Sequence, residues 1–387
     1  MLGFTYYTPT KVAFGKGSVE RVGELMKQFG GTRVLIHYGG QSAVRSGVLD
    51  RVKKSLDEAG IFHVELGGVV PNPHLAKVRE GIALSKANGV DFLLAVGGGS
   101  VIDSCKAIAY GLAEPEHDVW ELYAGQRKAK ACFPVASVLT IAAAGSEMSN
   151  SCVITNTDTE EKRAYNDDLA RPKFAIMDPE LTMTLPDYQT EAGCADIMMH
   201  TMERYFVNSG TMELTDALAE GLLRTVMHNA EVLHTDPRNY DARAEVMWAS
   251  SLAHNGLTGC GSDGGDWMPH LLEHEMGGMF NVTHGAGLAA VWPSWARYVY
   301  KDCLPRFVKY AVNVMGVTPG ATDEETALAG IAAMEEFYHR IGMPVNFKEL
   351  GIDRRADGRD GRQLRPRLRR CQGLRQGAAP ERYGSYL

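Results

Sequence analysis

The stretch Asp91–Ser100 reads DFLLAVGGGS and joins a nearly continuous apolar run to three consecutive glycines. An uninterrupted apolar run of this length is typical of a strand that is buried on both faces of a parallel sheet. The next residues, Val101–Tyr110, have the apolar spacing of a helix. We therefore predict a buried strand, a glycine turn and a helix, which is the repeating order of a doubly wound α/β domain.

The same alternation extends to both sides of this stretch. Further candidate strands lie at Arg33–Tyr38, Ile61–Leu66, Pro134–Leu139 and Phe174–Met177. Helical spacing covers Val44–Glu58 and the residues that run from the turn Pro71-Asn72-Pro73 to about Ala87. Because parallel strands are joined by right-handed crossovers, these elements predict a Rossmann-like dinucleotide-binding domain over residues 1–186.

Beyond Pro186 the strand pattern fades and helical spacing replaces it. The candidate helices are Thr190–Val207, Glu213–His234, Ala242–His254, Gly287–Tyr300 and Glu324–Ile341. We predict a helical, metal-binding domain over residues 187–352, so the fold class is α/β followed by all-α.

The segment Asp353–Leu387 differs in composition from the rest of the chain. It contains ten Arg and no Val, Ile, Phe, Met or Trp, so it has too little apolar surface to offset its ordering entropy. We expect an atypical, weakly attached or disordered tail. Two alternatives stay open, a basic arm for an anionic partner and an out-of-frame translation product.

The composition narrows the class of protein. The 387 residues are 45% hydrophobic and carry a formal net charge of −7, which disfavours nucleic acid and anionic membranes as partners. The longest apolar runs are too short to span a bilayer, and the first residues lack the pattern of a secretory signal. Seven scattered cysteines without a Cys-x-x-Cys pair suggest reduced thiols. We expect a cytoplasmic enzyme.

The glycine turn is a candidate phosphate site. Gly97, Gly98, Gly99 and Ser100 open a helix, where backbone N–H groups and the helix dipole favour an anion. Asp103 lies one turn further on and could accept hydrogen bonds from the loop or from a ligand. The spacing differs from Gly-x-Gly-x-x-Gly, so a purely structural turn is the alternative.

The end of the first predicted strand bears on the choice of cofactor. Its residues Tyr38, Gly39, Gly40 and Ser42 include no carboxylate that would bind the adenosine ribose and repel a 2′-phosphate. This favours NADP, with NAD as the alternative. The same residues could also serve only to turn the chain.

Acidic and histidine side chains at helical spacing indicate a metal site. Asp196 and His200 are four residues apart, as are His270 and His274, and His284 follows. One carboxylate and several imidazoles suit one divalent metal, Fe²⁺ or Zn²⁺. We assign Asp196, His200, His270 and His284 as ligands, against the alternative of ordinary core residues. The zinc-peptidase pattern His-Glu-x-x-His is absent from the sequence.

Taken together, these motifs resemble the iron-containing (group III) alcohol dehydrogenases, in particular the butanol dehydrogenase and NADPH-dependent aldehyde reductase branch. The resemblance runs from residue 1 to about Gly351. The stretches that carry it are Tyr38-Gly39-Gly40, Pro71-Asn72-Pro73, Gly97-Gly98-Gly99-Ser100-x-x-Asp103, Asp178-Pro179-x-Leu181-Thr182, Asp196-x-x-x-His200 and Asp266 to His284.

The resemblance implies a dehydroquinate synthase-like architecture and hydride transfer between a nicotinamide and a small primary alcohol or aldehyde. It implies the metal ligands already named and places the cofactor on the glycine turn, with further contacts from Asn72, Thr140, Lys162 and Leu181. A homodimer is expected. One departure is Ala144 in Ala144-Gly145-Ser146-Glu147, where the family usually has a threonine that could contact the cofactor.

His274 matches a family histidine near the substrate, and we predict that it relays the proton, because imidazole titrates near neutral pH. Orientation of the metal ligands is the alternative.

Two other functions of the protein stay open. A dehydroquinate synthase-like lyase or polyol phosphate dehydrogenase would need an Arg and Lys cluster, whereas this chain offers apolar residues, Trp267, Met268, Met276, Met279 and Phe280. A nucleotide-independent metallohydrolase is disfavoured by the glycine turn.

Overall fold

The computed structural model describes residues 1–352, and the Arg-rich segment Asp353–Leu387 lies outside them. A six-stranded parallel sheet with the order β1-β8-β5-β4-β2-β3 forms the first half, beside an antiparallel hairpin of β6 and β7. The strands are β1 Lys11–Phe14, β2 Arg33–Tyr38, β3 Phe62–Leu66, β4 Phe92–Gly97, β5 Val135–Leu139, β6 Ser151–Asn156, β7 Glu161–Asn166 and β8 Phe174–Met177.

Helices connect these strands and then make up the second half of the chain. In the first half they are α1 Val22–Gln28, α2 Gln41–Arg45, α3 Val48–Glu58, α4 Leu75–Asn88, α5 Gly99–Ala113 and α6 Trp120–Tyr123. In the second half they are α7 Asp187–Tyr205, α8 Glu213–Thr235, α9 Tyr240–His254, α10 Met268–Phe280, α11 His284–Val299, α12 Leu304–Asn313 and α13 Asp323–Arg340.

Both faces of the sheet are covered, as the apolar run before the glycine turn predicts. On β4, Leu94 and Val96 point into a core that also contains residues of α1 and α3. Leu93 and Ala95 point the opposite way, into a core shared with α4 and α5. Because side chains alternate along a strand, a strand covered on both faces must be apolar throughout.

The second core continues without a break into the helical half, where it includes Met198 of α7 and the indoles of Trp292 and Trp295 on α11. The predicted class, a Rossmann-like α/β domain followed by a helical domain, is confirmed. Within residues 1–352 no helix is long and apolar enough to cross a membrane. The six cysteines of this part of the chain are all free thiols.

One predicted element is wrong. The spacing of Val44–Glu58 predicts a single helix, but the chain forms two, α2 and α3, which are separated at Ser46 and Gly47. Gly47 has φ 75°, a left-handed conformation that favours glycine and ends a helix. Ala43 of α2 and Val48 of α3 belong to the same buried core, so the apolar spacing continues across this break.

Candidate active site

A cavity of ≈ 1080 Å³ lies between the carboxyl edge of the parallel sheet and the helical half. Residues of the α/β half that line it include Asn72, Gly99, Ser100, Asp103 and Lys162. From the helical half, the lining includes the candidate ligands His200, His270 and His284 and the candidate proton relay His274. Ligands of doubly wound sheets bind at this edge.

The glycine turn is shorter than the sequence suggests, since β4 runs through Gly97 and α5 begins at Gly99. Close packing explains why two positions of the turn are glycine. A Cβ on Gly98 would lie 3.0 Å from the Cβ of Ile141, and one on Gly99 would lie 2.9 Å from the Cβ of Ala144. Gly99 and Ser100, which open α5, line the cavity, so a phosphate could bind at this end of the helix.

Asp103 serves the loop next to the turn. Its carboxylate accepts hydrogen bonds from Ser146 Oγ at 2.6 Å and from the backbone N–H of Val153 at 2.9 Å. Burial raises the pKa of Asp103, although nearby Lys106 opposes this effect. Neither donor belongs to the glycine turn, so the two functions considered from sequence, an acceptor for that turn or for a ligand, stay predictions.

The other candidate cofactor residues lie along the same edge. Tyr38 ends β2, Gly39 and Gly40 follow it, and Ser42 lies in α2. Strand β2 pairs with β4 beside the glycine turn. Thr140 follows β5, and its N–H donates to the carbonyl of Gly97 at 3.1 Å. Leu181 follows β8. None of these residues, nor Gly97 or Gly98, is part of the cavity lining.

Asn72 and Lys162 approach the cavity from outside the main sheet. Asn72 has φ 55°, and its Nδ2 donates to Oδ1 of Asn281, the residue that ends α10, at 3.3 Å. Lys162 lies on β7 of the hairpin, and its Nζ lies 3.2 Å from Oε2 of Glu273 on α10. Both residues therefore join the α/β half to the helix that carries His270 and His274.

The candidate metal ligands converge on Asp196. Its Oδ1 lies 3.2 Å from His200 Nδ1, 3.6 Å from His270 Nε2 and 3.7 Å from His284 Nε2. The donor atoms of Asp196, His270 and His284 all lie within 4.8 Å of one another, and His200 is not part of that group. Helical spacing explains the convergence, since α7, α10 and α11 each present one face to the same point.

These residues fit a divalent metal. Within residues 1–352, Asp196 Oδ1, His200 Nδ1 and His270 Nε2 are buried and have no hydrogen-bond partner. Such orphaned atoms are costly unless a ligand satisfies them. Burial disfavours the charged form of His270, but Glu203 and Asp196 outweigh it and raise the pKa of His270 to about 9. The surroundings thus favour a positive charge at this point.

Two buried glutamates that sequence reasoning missed hold the histidines in place. Glu203 accepts hydrogen bonds from His270 Nδ1 and, at 3.0 Å, from the backbone N–H of the same residue. Glu273 accepts one from His284 Nδ1. Carboxylates in this position fix the ring orientation of histidine ligands and raise their basicity. The Asp196, His200 and Glu203 spacing, on one face of α7, could have indicated the first of them.

The wall around the histidines is partly aromatic and partly polar. Trp267 lines the cavity, and the guanidinium of Arg204 stacks on its ring at 4.4 Å. His254 also lines the cavity, with its ring centroid 4.0 Å from that of His200. Among the apolar residues noted from sequence, Met268 and Met276 are buried in the core instead.

Two family models match the chain in succession. The model described as iron-containing alcohol dehydrogenase matches residues 9–179, and that of the C-terminal region of the Fe-containing alcohol dehydrogenase family matches residues 190–359. The chain belongs to the iron-containing alcohol dehydrogenase family. As a member of this family it is an NAD(P)-linked alcohol dehydrogenase or aldehyde reductase, and the resemblance inferred from its motifs is confirmed.

Relatives of this iron-containing alcohol dehydrogenase align over most of the chain. It is 43% identical to NADH-dependent butanol dehydrogenase A of Clostridium acetobutylicum, over 91% of this chain and 90% of the relative. It is 38% identical to the NADPH-dependent aldehyde reductase YqhD of Escherichia coli, over the same shares. The crystal structure of NADH-dependent butanol dehydrogenase A from Thermotoga maritima superposes with a TM-score of 0.89 at 40% identity, covering 91% of this chain and 88% of that one.

Proposed function

We propose that this enzyme interconverts small primary alcohols and aldehydes of the butanol and butanal type, with Asp196, His200, His270 and His284 holding one divalent metal. The observation that carries the proposal is the group of orphaned, buried donor atoms around Asp196 Oδ1, since His200 and His270 of this group line the same cavity as Gly99 and Ser100. One cavity therefore joins the candidate nicotinamide site to the candidate metal site.

The donor set supports Fe²⁺ or Zn²⁺ as the metal. It consists of one carboxylate and three imidazoles, and no thiolate lies among them. Carboxylate–imidazole sites suit iron and zinc, whereas soft thiolates would favour other metals. When bound, such a metal acts as a Lewis acid that polarises a carbonyl and stabilises an alkoxide. The family description favours iron.

The turn after β2 supports NADP as the cofactor, with NAD as the alternative. Gly40 has φ −82°, and a Cβ added there would meet nothing within 4 Å, so a 2′-phosphate would find open space. Relatives differ in this respect, since the butanol dehydrogenase relatives are named NADH-dependent and the aldehyde reductase NADPH-dependent. Sequence similarity alone therefore does not decide between NADP and NAD, and the proposal of NADP rests on this turn.

The chain's own residues supply orientation and a proton. His274 lines the cavity beside His284, with ring centroids 5.8 Å apart, so it lies next to the candidate metal site, where a substrate oxygen would gain or lose its proton. Burial, followed by the nearby Lys162, keeps the pKa of His274 well below its ordinary value, so the ring is neutral at physiological pH. A neutral imidazole can accept the proton of an alcohol during its oxidation. Trp267 offers an apolar contact for a short alkyl chain.

The outer side of β1, the first strand of the main sheet, supports the proposal of a homodimer. Within the described residues β1 pairs only with β8, so its other edge is open to a second copy. The preceding segment exposes apolar side chains, including 54% of Phe4 and 52% of Tyr7. Light scattering on the purified protein, with Phe4→Glu as a variant that should weaken association, tests this arrangement.

The six free thiols of residues 1–352 fit a reducing compartment such as the cytoplasm.

One experiment tests the proposed activity. The protein is purified without oxygen, its metal content is measured, and oxidation of NADPH and of NADH is followed with aldehydes of two to six carbons. We expect one metal per chain and faster turnover with NADPH. His274→Asn should lower kcat by about 10²-fold or more while metal content is kept. If metal content falls in step with kcat, His274 orients the ligands instead of relaying the proton.

A further inference from the structure

Glu273 is a buried carboxylate that is shared between a candidate metal ligand and a lysine of the cavity wall. Its Oε2 accepts a hydrogen bond from His284 Nδ1 and also lies 3.2 Å from Lys162 Nζ. None of the Glu273 side chain is exposed, and only 5% of the Lys162 side chain is. His284 Nδ1 and Lys162 Nζ therefore share one carboxylate oxygen of Glu273.

The two donors belong to different halves of the molecule. Lys162 lies on β7, which packs against α10, whereas His284 begins α11. Lys162 also lines the cavity that extends from the start of α5 to the histidines. An anionic cofactor in this cavity would therefore compete with Glu273 for the ammonium group of Lys162.

Two helical glycines make room for this contact. A Cβ on Gly277 would lie 2.9 Å from Glu273 Oε1 and 3.3 Å from Lys162 Nζ. A Cβ on Gly287 of α11 would lie 2.9 Å from Glu273 Cγ. Since protein interiors are close-packed, a side chain at either glycine would crowd this contact.

We propose that Glu273 is a positioning residue that couples metal binding to cofactor binding through Lys162, an inference that rests on the proposed function. A metal held by His284 would make its Nδ1–H a stronger donor, which would draw more of the Glu273 charge and loosen the hold on Lys162. The freed ammonium pairs more readily with an anionic group of NADPH. By linkage, NADPH must favour the metal by the same factor.

Glu203 provides a matched control. It is also a fully buried carboxylate that accepts from a candidate ligand, but both of its hydrogen bonds come from His270. Removing its charge should weaken the metal site without touching the link to Lys162. Glu203→Gln and Glu273→Gln therefore each disturb one candidate histidine ligand, but only Glu273→Gln also removes the partner of Lys162.

The experiment measures binding and not turnover. The Kd of NADPH is obtained by fluorescence for chelator-treated and Zn²⁺-loaded protein, and the Kd of Zn²⁺ by competition with a chromophoric chelator. Wild type should bind NADPH at least about 5-fold more tightly with zinc than without it. Both glutamine variants should lose about 10- to 100-fold in zinc affinity. Only Glu273→Gln and Lys162→Met should reduce the coupling factor, to about 2-fold or less.

Equal coupling factors in Glu203→Gln, Glu273→Gln and wild type would overturn the inference while leaving the proposed function intact. Wild-type protein that binds neither Zn²⁺ nor NADPH would instead contradict the proposed function. If Lys162→Met does not fold, Lys162→Arg replaces it. That variant keeps the charge, so its coupling should match wild type, and a loss of coupling there would count against the inference.

Discussion

Lys106 Nζ lies 2.7 Å from the carbonyl oxygen of Ser146 and 2.9 Å from the hydroxyl oxygen of the same residue. The carbonyl oxygens of Ser149 and Ser151 lie at 3.0 Å and 2.8 Å from the same nitrogen. The ammonium group on α5 is fully buried. It therefore organises the loop of residues 144–151, which forms part of the cavity wall beside the glycine turn.

Replacement of this lysine should destabilise the fold and the cavity together. Lys106→Met leaves several buried carbonyl groups without a donor, and each such loss costs about 1–3 kcal/mol. We expect the free energy of unfolding in urea to fall by about 3 kcal/mol or more. Lys86→Met, at an exposed position of α4, is the control and should change stability by less than about 0.5 kcal/mol.

Loss of one candidate ligand should abolish turnover but spare the nucleotide site. His270→Ala removes an imidazole from the group around Asp196. Because Lewis-acid stabilisation is worth several kcal/mol, kcat should fall by at least about 10²-fold, with metal stoichiometry falling in parallel. The Kd of NADPH, measured without added metal, should change little. His228→Ala, an exposed histidine on α8, should behave as wild type. A metal-replete, fully active His270→Ala enzyme would refute the ligand assignment.

A carboxylate at Gly40 should reverse the cofactor preference. The backbone there has a negative φ and free space, so Gly40→Asp should fold without strain. Its charge would repel the 2′-phosphate of NADPH and could bind the ribose hydroxyls of NADH. Each tenfold change in the ratio of kcat/KM values corresponds to about 1.4 kcal/mol. Gly40→Asn separates charge from size and should shift the ratio less. A wild type that prefers NADH under matched conditions would contradict the argument.

Buried His37 should make the fold sensitive to acid. Its Nδ1 lies 2.8 Å from the carbonyl of Leu66 and its Nε2 lies 2.8 Å from Ser104 Oγ, and burial lowers its pKa to about 4. The unfolded chain binds this proton near pH 6.5. The contribution to stability is therefore complete above pH 6.5 and is lost as the pH falls towards 4, by about 3 kcal/mol in all. Urea midpoints between pH 7.5 and pH 5 should decline more steeply for wild type than for His37→Gln.

The elements that could be predicted from sequence are those whose pattern follows from burial. Arg33–Tyr38 was expected as a strand and forms β2 with the same bounds. The hairpin strand β7 was missed because its residues, EKRAYN, are charged and half-buried and show no apolar alternation. Its place is set by pairing with β6, a contact that local composition does not reveal.

The candidate site, like the fold, can be predicted from local sequence patterns only in part. Helical spacing placed Asp196 and His200 on one face, and the structure brings them together. The spacing on α7 could have indicated Glu203 but not its partner His270, because that contact joins residues far apart in the chain. The contacts of Lys106 with the 144–151 loop are also long-range, so no local pattern indicates them. The domain boundaries near residue 186 and the ligand assignments remain predictions.

The candidate ligands are distributed over α7, α10 and α11. An ion held by all of them would close a loop of the chain from Asp196 to His284 and would act as a non-covalent cross-link. Closing such a loop removes conformational freedom chiefly from the opened states of the chain. The free energy of metal binding would then also protect α10 against local unfolding, so resistance to proteolysis in this region would report on metal occupancy as directly as turnover does.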